Sequence, residues 1–343
     1  MELPQARGPL SAGLFGGVRD PEQLHPDVLV EQVRQLLPGS DPLTHDDLQL
    51  CLWVLYELHY RGFARVDDAA EWDPELLRVR RVLEHFFEDE LRRRTRETVA
   101  AAIAGEGDVA TRLFAFCESF ASPSVAQFVQ REATLEQVNE FLVQRSIYHL
   151  KEFDPTSWSI PRLTGGPKVA LAEVQYDEYG AGRPERLHSQ MFADALEACG
   201  LDSRYGTYID QVPATTLAVN NAMNMFGLHR RLQPAALGHF GAFEATSSLP
   251  SRRFVAGMRR LGLPEPAPAY FDEHVEADAV HEQIALRDVC AGVAAEGPAA
   301  LHDVFFGAAV CLYLGSVTAT ESLDCWRHGR SALRQPADGA AVA

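Results

Sequence analysis

The chain has 343 residues, 46% of them hydrophobic, and a formal net charge of −17. That length and apolar content suffice for a large core in one or two domains. The acidic excess argues against nucleic acid and against a membrane surface as partners.

No run approaches the roughly 18 uninterrupted apolar residues of a membrane span. Met1-Glu-Leu-Pro-Gln-Ala-Arg7 lacks a basic-then-apolar leader pattern, and six cysteines stand singly at 51, 117, 199, 290, 311 and 325. A cytoplasmic protein with reduced thiols is expected, without a zinc finger or an iron–sulfur cluster.

Apolar residues recur at helical spacing almost throughout and strand-like alternation is nearly absent, which predicts an all-α chain. The pattern predicts helices over about 26–37, 44–61 and 75–93, then over about 95–104, 108–120 and 123–131. A longer helix is expected from Thr134, whose neighbours Glu136 and Gln137 resemble a capping arrangement, through Glu152, with Asp154-Pro155 as its stop. The next covers about 167–179, breaks at Tyr179-Gly180-Ala181-Gly182 and resumes at Pro184, a residue suited to a first helical turn.

Helices over about 213–231, 234–246, 250–261, 266–286 and 297–329 follow, and the Ala-rich tail from Gln335 is expected to be disordered. Early helices are charge-dense, as in Glu84-His85-Phe-Phe-Glu88-Asp89-Glu90, whereas the candidate site residues all come later. This places an N-terminal helical segment at 1–122, a site-bearing domain at 123–334 and a tail at 335–343. The apolar stretch Leu50 to Leu55 in the first segment suits a homodimer contact.

The most informative motif is His274-x-x-x-Asp278-x-x-His281. At about 100° per residue, Asp278 lies about +40° and His281 about −20° from His274, so two imidazoles and a carboxylate share one wedge of a helix. A polar helical face can carry such a triplet by accident. A second constellation, Glu185-Arg-Leu-His188, is the Glu-x-x-His pair that di-metal carboxylate bundles use. Two half-sites point to one dinuclear centre.

Two octahedral ions call for about six side-chain donors, one more than these motifs supply. Glu152 and Glu140 are the upstream candidates, Glu152 standing at the end of the helix that leads toward Glu185. Three carboxylates would offset three of the four positive charges on two divalent ions. Oxygen and imidazole donors without thiolate favour iron, with manganese second.

His149 stands three residues before Glu152 on the same helical side, within reach of that carboxylate. Glu244, in Gly241-Ala-Phe-Glu244-Ala-Thr246, is a charge in a small and apolar segment, costly to bury unpaired, and is a candidate pocket residue. Asn220, Asn221 and Asn224, interleaved with Met223 and Met225, line a polar channel or mark an irregular helix. Gly13 to Gly17 is not a phosphate loop, because no Lys-Ser or Lys-Thr follows.

The set Glu152, Glu185-x-x-His188 and His274-x-x-x-Asp278-x-x-His281, preceded by Asp177-Glu178-Tyr179-Gly180-x-Gly182, resembles the heme-oxygenase-like diiron oxidases and oxygenases. The likeness covers about residues 135–330, and more loosely the N-terminal part. It implies a heme-oxygenase-like helical bundle behind an N-terminal helical segment that supports dimerisation, with two irons held by Glu152, Glu185, His188, His274, Asp278 and His281.

The resemblance further implies that Glu178, ten residues before His188, joins the ligands once oxygen-derived species form, Asp177 and Glu173 being nearby alternatives. Dioxygen would be the co-substrate and an external electron donor the reductant. The pattern is nearest to the N-oxygenating members, and the C-terminal cupin domain that some of them carry is not expected here. The expectation is N-oxygenation, through a peroxo-diferric species, of an amine in a small nitrogen-rich substrate of natural-product biosynthesis. The alternatives are desaturation or carbon–carbon cleavage of an amino or fatty acid, and a metal-binding bundle without turnover.

Overall fold

A computed structural model of the chain describes residues 1–36 and 39–334, and no strand occurs among the described residues. The tail expected from residue 335, and the last residue of the helix expected over 26–37, lie outside them. The first part comprises α1 (Pro9–Arg19), α2 (Pro26–Leu36), α3 (Asp46–Glu57), α4 (Pro74–Ile103) and α5 (Val109–Ser119).

Next come α6 (Val125–Arg131), α7 (Leu135–His149), the single turn α8 (Asp154–Ser157), α9 (Gly165–Glu178) and α10 (His188–Ala198). They are followed by α11 (Ala214–Leu228), α12 (Gln233–Ala245), α13 (Ser248–Leu261) and α14 (Pro266–Gln283). A π-helical stretch, Ile284–Cys290, continues α14 into the short α15 (Ala291–Ala294), and α16 (Pro298–Arg327) comes last.

Local chemistry accounts for most of these boundaries. Asp73 caps α4 by accepting from the amides of Glu75 and Leu76, with Pro74 in the first turn. At α7 the capping arrangement is reciprocal: Thr134 Oγ1 accepts from the Gln137 amide (3.3 Å) and Gln137 Oε1 from the Thr134 amide (3.0 Å). The helices expected over 75–93 and 95–104 are one continuous α4, in which Thr95 Oγ1 donates back to the Leu91 carbonyl (2.8 Å). No residue near 94 breaks a helix. At α1 Pro9 stands in the first turn, but the first amides, Leu10 and Ser11, donate to the distant carboxylate of Asp47 on α3 (2.9 and 2.8 Å).

One apolar cluster runs from Leu10 to Leu314 through α1, α3, α4, α11, α12 and α16, and a second joins α6, α7, α10, α13 and α14. Leu50, Leu52 and Leu55 lie in the first, at 2% exposure or less. The stretch assigned to a dimer contact is therefore core, its side chains already used inside the chain. α16 is long and apolar enough, by length and composition, to cross a membrane. In the fold its Val304, Phe305, Ala308 and Ala309 are buried in the first cluster.

Helices α12 and α16 cross in close contact. A Cβ on Gly238 would lie 1.9 Å from the Val304 carbonyl oxygen, and one on Gly307 would lie 1.9 Å from that of Ala235. Backbone meets backbone there, so no rotamer change relieves a larger residue. Gly238→Ala and Gly307→Ala should each destabilise the fold by about 3 kcal/mol or more, the upper end of overpacking costs. Gly315→Ala, where a Cβ meets nothing within 4 Å, should be neutral or slightly stabilising. Unfolding midpoints of the three variants check this, and equal midpoints would remove the crossing as a fixed point.

Candidate metal centre

Five separate segments deliver the buried ionisable groups. α7 ends at His149, and Phe153 adopts a left-handed conformation (φ 68°) that turns the chain, so Glu152 occupies the turn. The helix expected to run through Glu152 thus stops three residues short. Glu152 nonetheless faces inward and is buried. Its Oε2 accepts from Tyr270 Oη (2.7 Å), and His149 Nδ1 lies 2.9 Å from its Oε1 and 2.7 Å from Tyr270 Oη.

Glu178 is the last residue of α9. Gly180, Ala181 and Gly182 follow in left-handed conformations (φ 76°, 51° and 79°), which glycine tolerates and alanine adopts at a cost of about 1 kcal/mol. A Cβ on Gly180 would lie 2.7 Å from the Leu187 nitrogen, so the chain doubles back tightly. This fold-back places His188, first residue of α10, with Nδ1 2.7 Å from Glu178 Oε2.

Here the sequence expectation needs correction. Pro184 starts a 3-10 turn, Pro184–Arg186, and Leu187 is non-helical (ψ 120°), so α10 begins only at His188. Glu185 and His188 do not share a helix, and Glu185 is exposed, outside the buried cluster. Glu140 is also elsewhere, its Oε2 accepting from Trp326 Nε1 (2.7 Å) and the Ala332 amide (2.8 Å).

α14 contributes His274, Asp278 and His281 from one face as the spacing predicts, and α12 contributes Glu244 near its end. All are buried. The groups fall into two sets: Glu152, Glu178, His188 and His274, and Glu178, Glu244, Asp278 and His281. Within each set one candidate donor atom per residue lies within 4.8 Å of the others. Glu178 belongs to both. Glu244 was readable only as a charge in an apolar segment, and Tyr270, one helical turn before His274, was not singled out by the sequence.

The close atoms do not satisfy one another. His188 Nδ1, His274 Nε2, His281 Nδ1, Asp278 Oδ2 and Glu244 Oε2 are buried without a hydrogen-bond partner. His281 Nδ1 stands 3.2 Å from Glu178 Oε1 and 3.5 Å from Glu244 Oε2, and His274 Nε2 stands 3.7 Å from Glu152 Oε1. Lone pairs converging on shared points, but not aligned as donor and acceptor, are what metal ligands look like without an ion.

On His274 and His281 the far ring nitrogen is occupied, as in ligating histidines. His274 Nδ1 donates to the Tyr270 carbonyl (2.7 Å), and His281 Nε2 pairs with Asp177 Oδ2 (3.0 Å). These residues fit a pair of divalent ions with mixed oxygen and nitrogen coordination.

Protonation tells the same story. Burial pulls His188 and His281 down, but the carboxylates beside them outweigh it: Glu178 raises His188 to about 9, and Glu178 with Glu244 raises His281 to about 11. Asp278 is pushed up to about 10 by burial and by the charges of Glu244 and Glu178, and Glu244 to about 7, chiefly by burial. Burial also acts against ionised Glu178, yet His188 and His281 hold it well below its ordinary value. Protons stand in for positive charge.

A divalent pair must displace those protons. His188, His281 and Asp278 are protonated at pH 7.5, so filling the site should release about three protons per chain and bind more weakly as pH falls. Calorimetry of iron(II) binding in buffers of different ionisation enthalpy checks this, and binding without proton release would contradict the site. Metal analysis supplies a second check: Glu178→Ala should lose both ions, Asp278→Ala one, and Glu185→Ala neither.

A family model described as iron-containing redox enzyme matches residues 139–316, just over half of the chain. Among curated proteins, a nitrosourea synthase of Streptomyces achromogenes subsp. streptozoticus is 26% identical over 149 residues, 43% of this chain. The matched stretch spans 32% of that relative's own length. The family match covers α9, α10, α12 and α14, which carry all of the paired donors but Glu152, and it covers Glu152 as well. The helical fold, the two converging donor sets and this match agree: the chain belongs to the iron-containing redox enzyme family, with its heme-oxygenase-like fold.

Proposed function

We propose that the chain is a non-heme diiron oxygenase that uses dioxygen and an external electron donor to N-oxygenate an amine of a small, nitrogen-rich substrate. The observation that carries the diiron part is the position of Glu178, shared by two sets of buried donors. Glu152, His188 and His274 would hold one ion, Glu244, Asp278 and His281 the other, and Glu178 both. Bound iron would supply the electrons that activate oxygen. Likeness to an enzyme named for a nitrosourea supports nitrogen as the atom oxidised.

The surrounding residues position and insulate. Tyr270 holds Glu152 through its hydroxyl and His274 through its carbonyl, so one residue orients a carboxylate and an imidazole of the same set. Asp177 fixes the His281 ring with Nδ1 facing inward. All seven donor side chains are buried, which keeps bulk water from a reactive centre.

A cavity of about 20 Å³ reaches Glu244 between Tyr148, Met223, Phe226, His239, Phe240 and Phe243. It has room for a single water-sized molecule, not for an alkyl chain. A space of that size, walled mostly by aromatic rings, suits a molecule as small as dioxygen. Burial pulls His239 down to about 4, so its imidazole is neutral and adds no charge there.

Rapid mixing of the iron(II)-loaded protein with oxygenated buffer and candidate amines tests the proposal. The expected result is an oxygen-dependent visible transient whose decay is faster with the true substrate, and a product heavier by oxygen on nitrogen. No transient and no oxygen uptake would refute the oxygenase reading. Oxygen uptake with a desaturated or cleaved carbon product would refute the assignment to nitrogen alone.

A further inference from the structure

We propose that His239 relays protons to the metal centre through one water held in the cavity that reaches Glu244; this deepens the oxygenase reading above and rests on it. Oxidising an amine nitrogen with dioxygen consumes protons: amine, dioxygen, two electrons from the external donor and two protons give a hydroxylamine and one water. Those protons must cross protein, because every donor side chain of the centre is buried.

His239 lies on α12, five residues before Glu244 and next to Gly238, where backbone contact with α16 fixes the helix. It is 3% exposed, its ring packs edge-on against Phe226 (centroids 6.2 Å apart), and its Nε2 is buried without a hydrogen-bond partner. Among the described residues every other buried histidine, His59, His149, His188, His274 and His281, has a carboxylate or carbonyl oxygen within 3.1 Å of a ring nitrogen. His239 alone has none.

A wall that served packing only would take another aromatic ring there, as Phe226, Phe240 and Phe243 do around the same cavity. Burying an imidazole instead is unfavourable unless a polar group meets it. The cavity has room for that group: its volume of about 20 Å³ exceeds the roughly 10–15 Å³ that one water needs.

A buried water also takes two to four polar partners. His239 and Glu244 both line the cavity, and each has an unpartnered buried atom, Nε2 and Oε2. The Tyr148 hydroxyl, which accepts a long bond from the Phe153 amide (3.4 Å), keeps its own proton free to donate as a third. Thr156 on α8 and Ala236, one turn before His239, line the same space and keep partial exposure. The cavity thus leads from near the surface to a donor group.

A relay must accept a proton at one atom while releasing one from another, and a neutral imidazole does both. Burial keeps His239 neutral, so each proton passes on rather than staying. Glu244 stands at the inner end, and a proton delivered there is already among the donors.

Two measurements test the relay. In crystals of the iron(II)-loaded protein grown without oxygen, one ordered water should lie within about 3.2 Å of His239 Nε2, inside the cavity. No water there would overturn the proposal whatever the oxygen chemistry, and no variant has to fold for that result.

The second is ascorbate-driven oxygen uptake without added amine, in light and heavy water, where two electrons and two protons carry dioxygen to hydrogen peroxide. His239→Gln still hydrogen-bonds the water but has no imidazole to take up a proton. Its kcat should fall on the order of a hundredfold, with the KM for dioxygen and two irons per chain unchanged and a larger solvent isotope effect than wild type. Imidazole added to His239→Ala should restore part of the rate. A wild-type rate and isotope effect in His239→Gln would refute the relay and leave the oxygenase reading standing. Wild type that takes up no oxygen would refute the oxygenase reading, and the relay with it.

Discussion

The structure turns on one carboxylate placed between two imidazoles. Glu178 stands 2.7 Å from His188 Nδ1 and 3.2 Å from His281 Nδ1, at almost no exposure. A buried carboxylate is tolerated only with compensating positive charge, and here three more carboxylates, Glu152, Glu244 and Asp278, share the same interior. In the protein without metal, protons on His188 and His281 supply that charge, and a proton on Asp278 removes one of the negative ones. Divalent ions would supply it better, because they reach several lone pairs at once. The cluster is thus unfavourable in isolation and has a ready reason to bind metal.

Such a cluster needs a frame that cannot relax around it. The Gly238–Gly307 crossing locks α12, the carrier of Glu244, against α16 with no room for a methyl group. On the other side, Lys151 and Glu57, both nearly inaccessible, pair at 3.1 Å, and Tyr205 donates to the same carboxylate at 2.6 Å. That pair anchors the turn carrying Glu152 to α3. The N-terminal helices therefore support the centre directly, and the first apolar cluster runs continuously across residue 122.

The part of the site legible from spacing alone was the part built on one uninterrupted helix. His274, Asp278 and His281 lie within α14, where three residues at fixed spacing must share a face. Glu185 failed for the converse reason: the Glu-x-x-His inference needs helix from Pro184 onward, and a 3-10 turn with a non-helical Leu187 intervenes. Pro at a first turn is compatible with either outcome. Glu178 and Glu244 come from helices of their own: Glu178 entered the sequence reading only through the resemblance, and no local spacing relates Glu244 to the rest. The same holds for α1, whose N-terminal amides are satisfied by Asp47, more than thirty residues away.

Replacing Glu185 by Glu178 and adding Glu244 changes the charge logic of the site. With three carboxylates, two divalent ions would retain one net positive charge and could draw an anionic substrate toward themselves. With four, the charges cancel, and the centre has no net attraction for an anion at a distance. Any attraction for an anion would then have to come from beyond the donor groups.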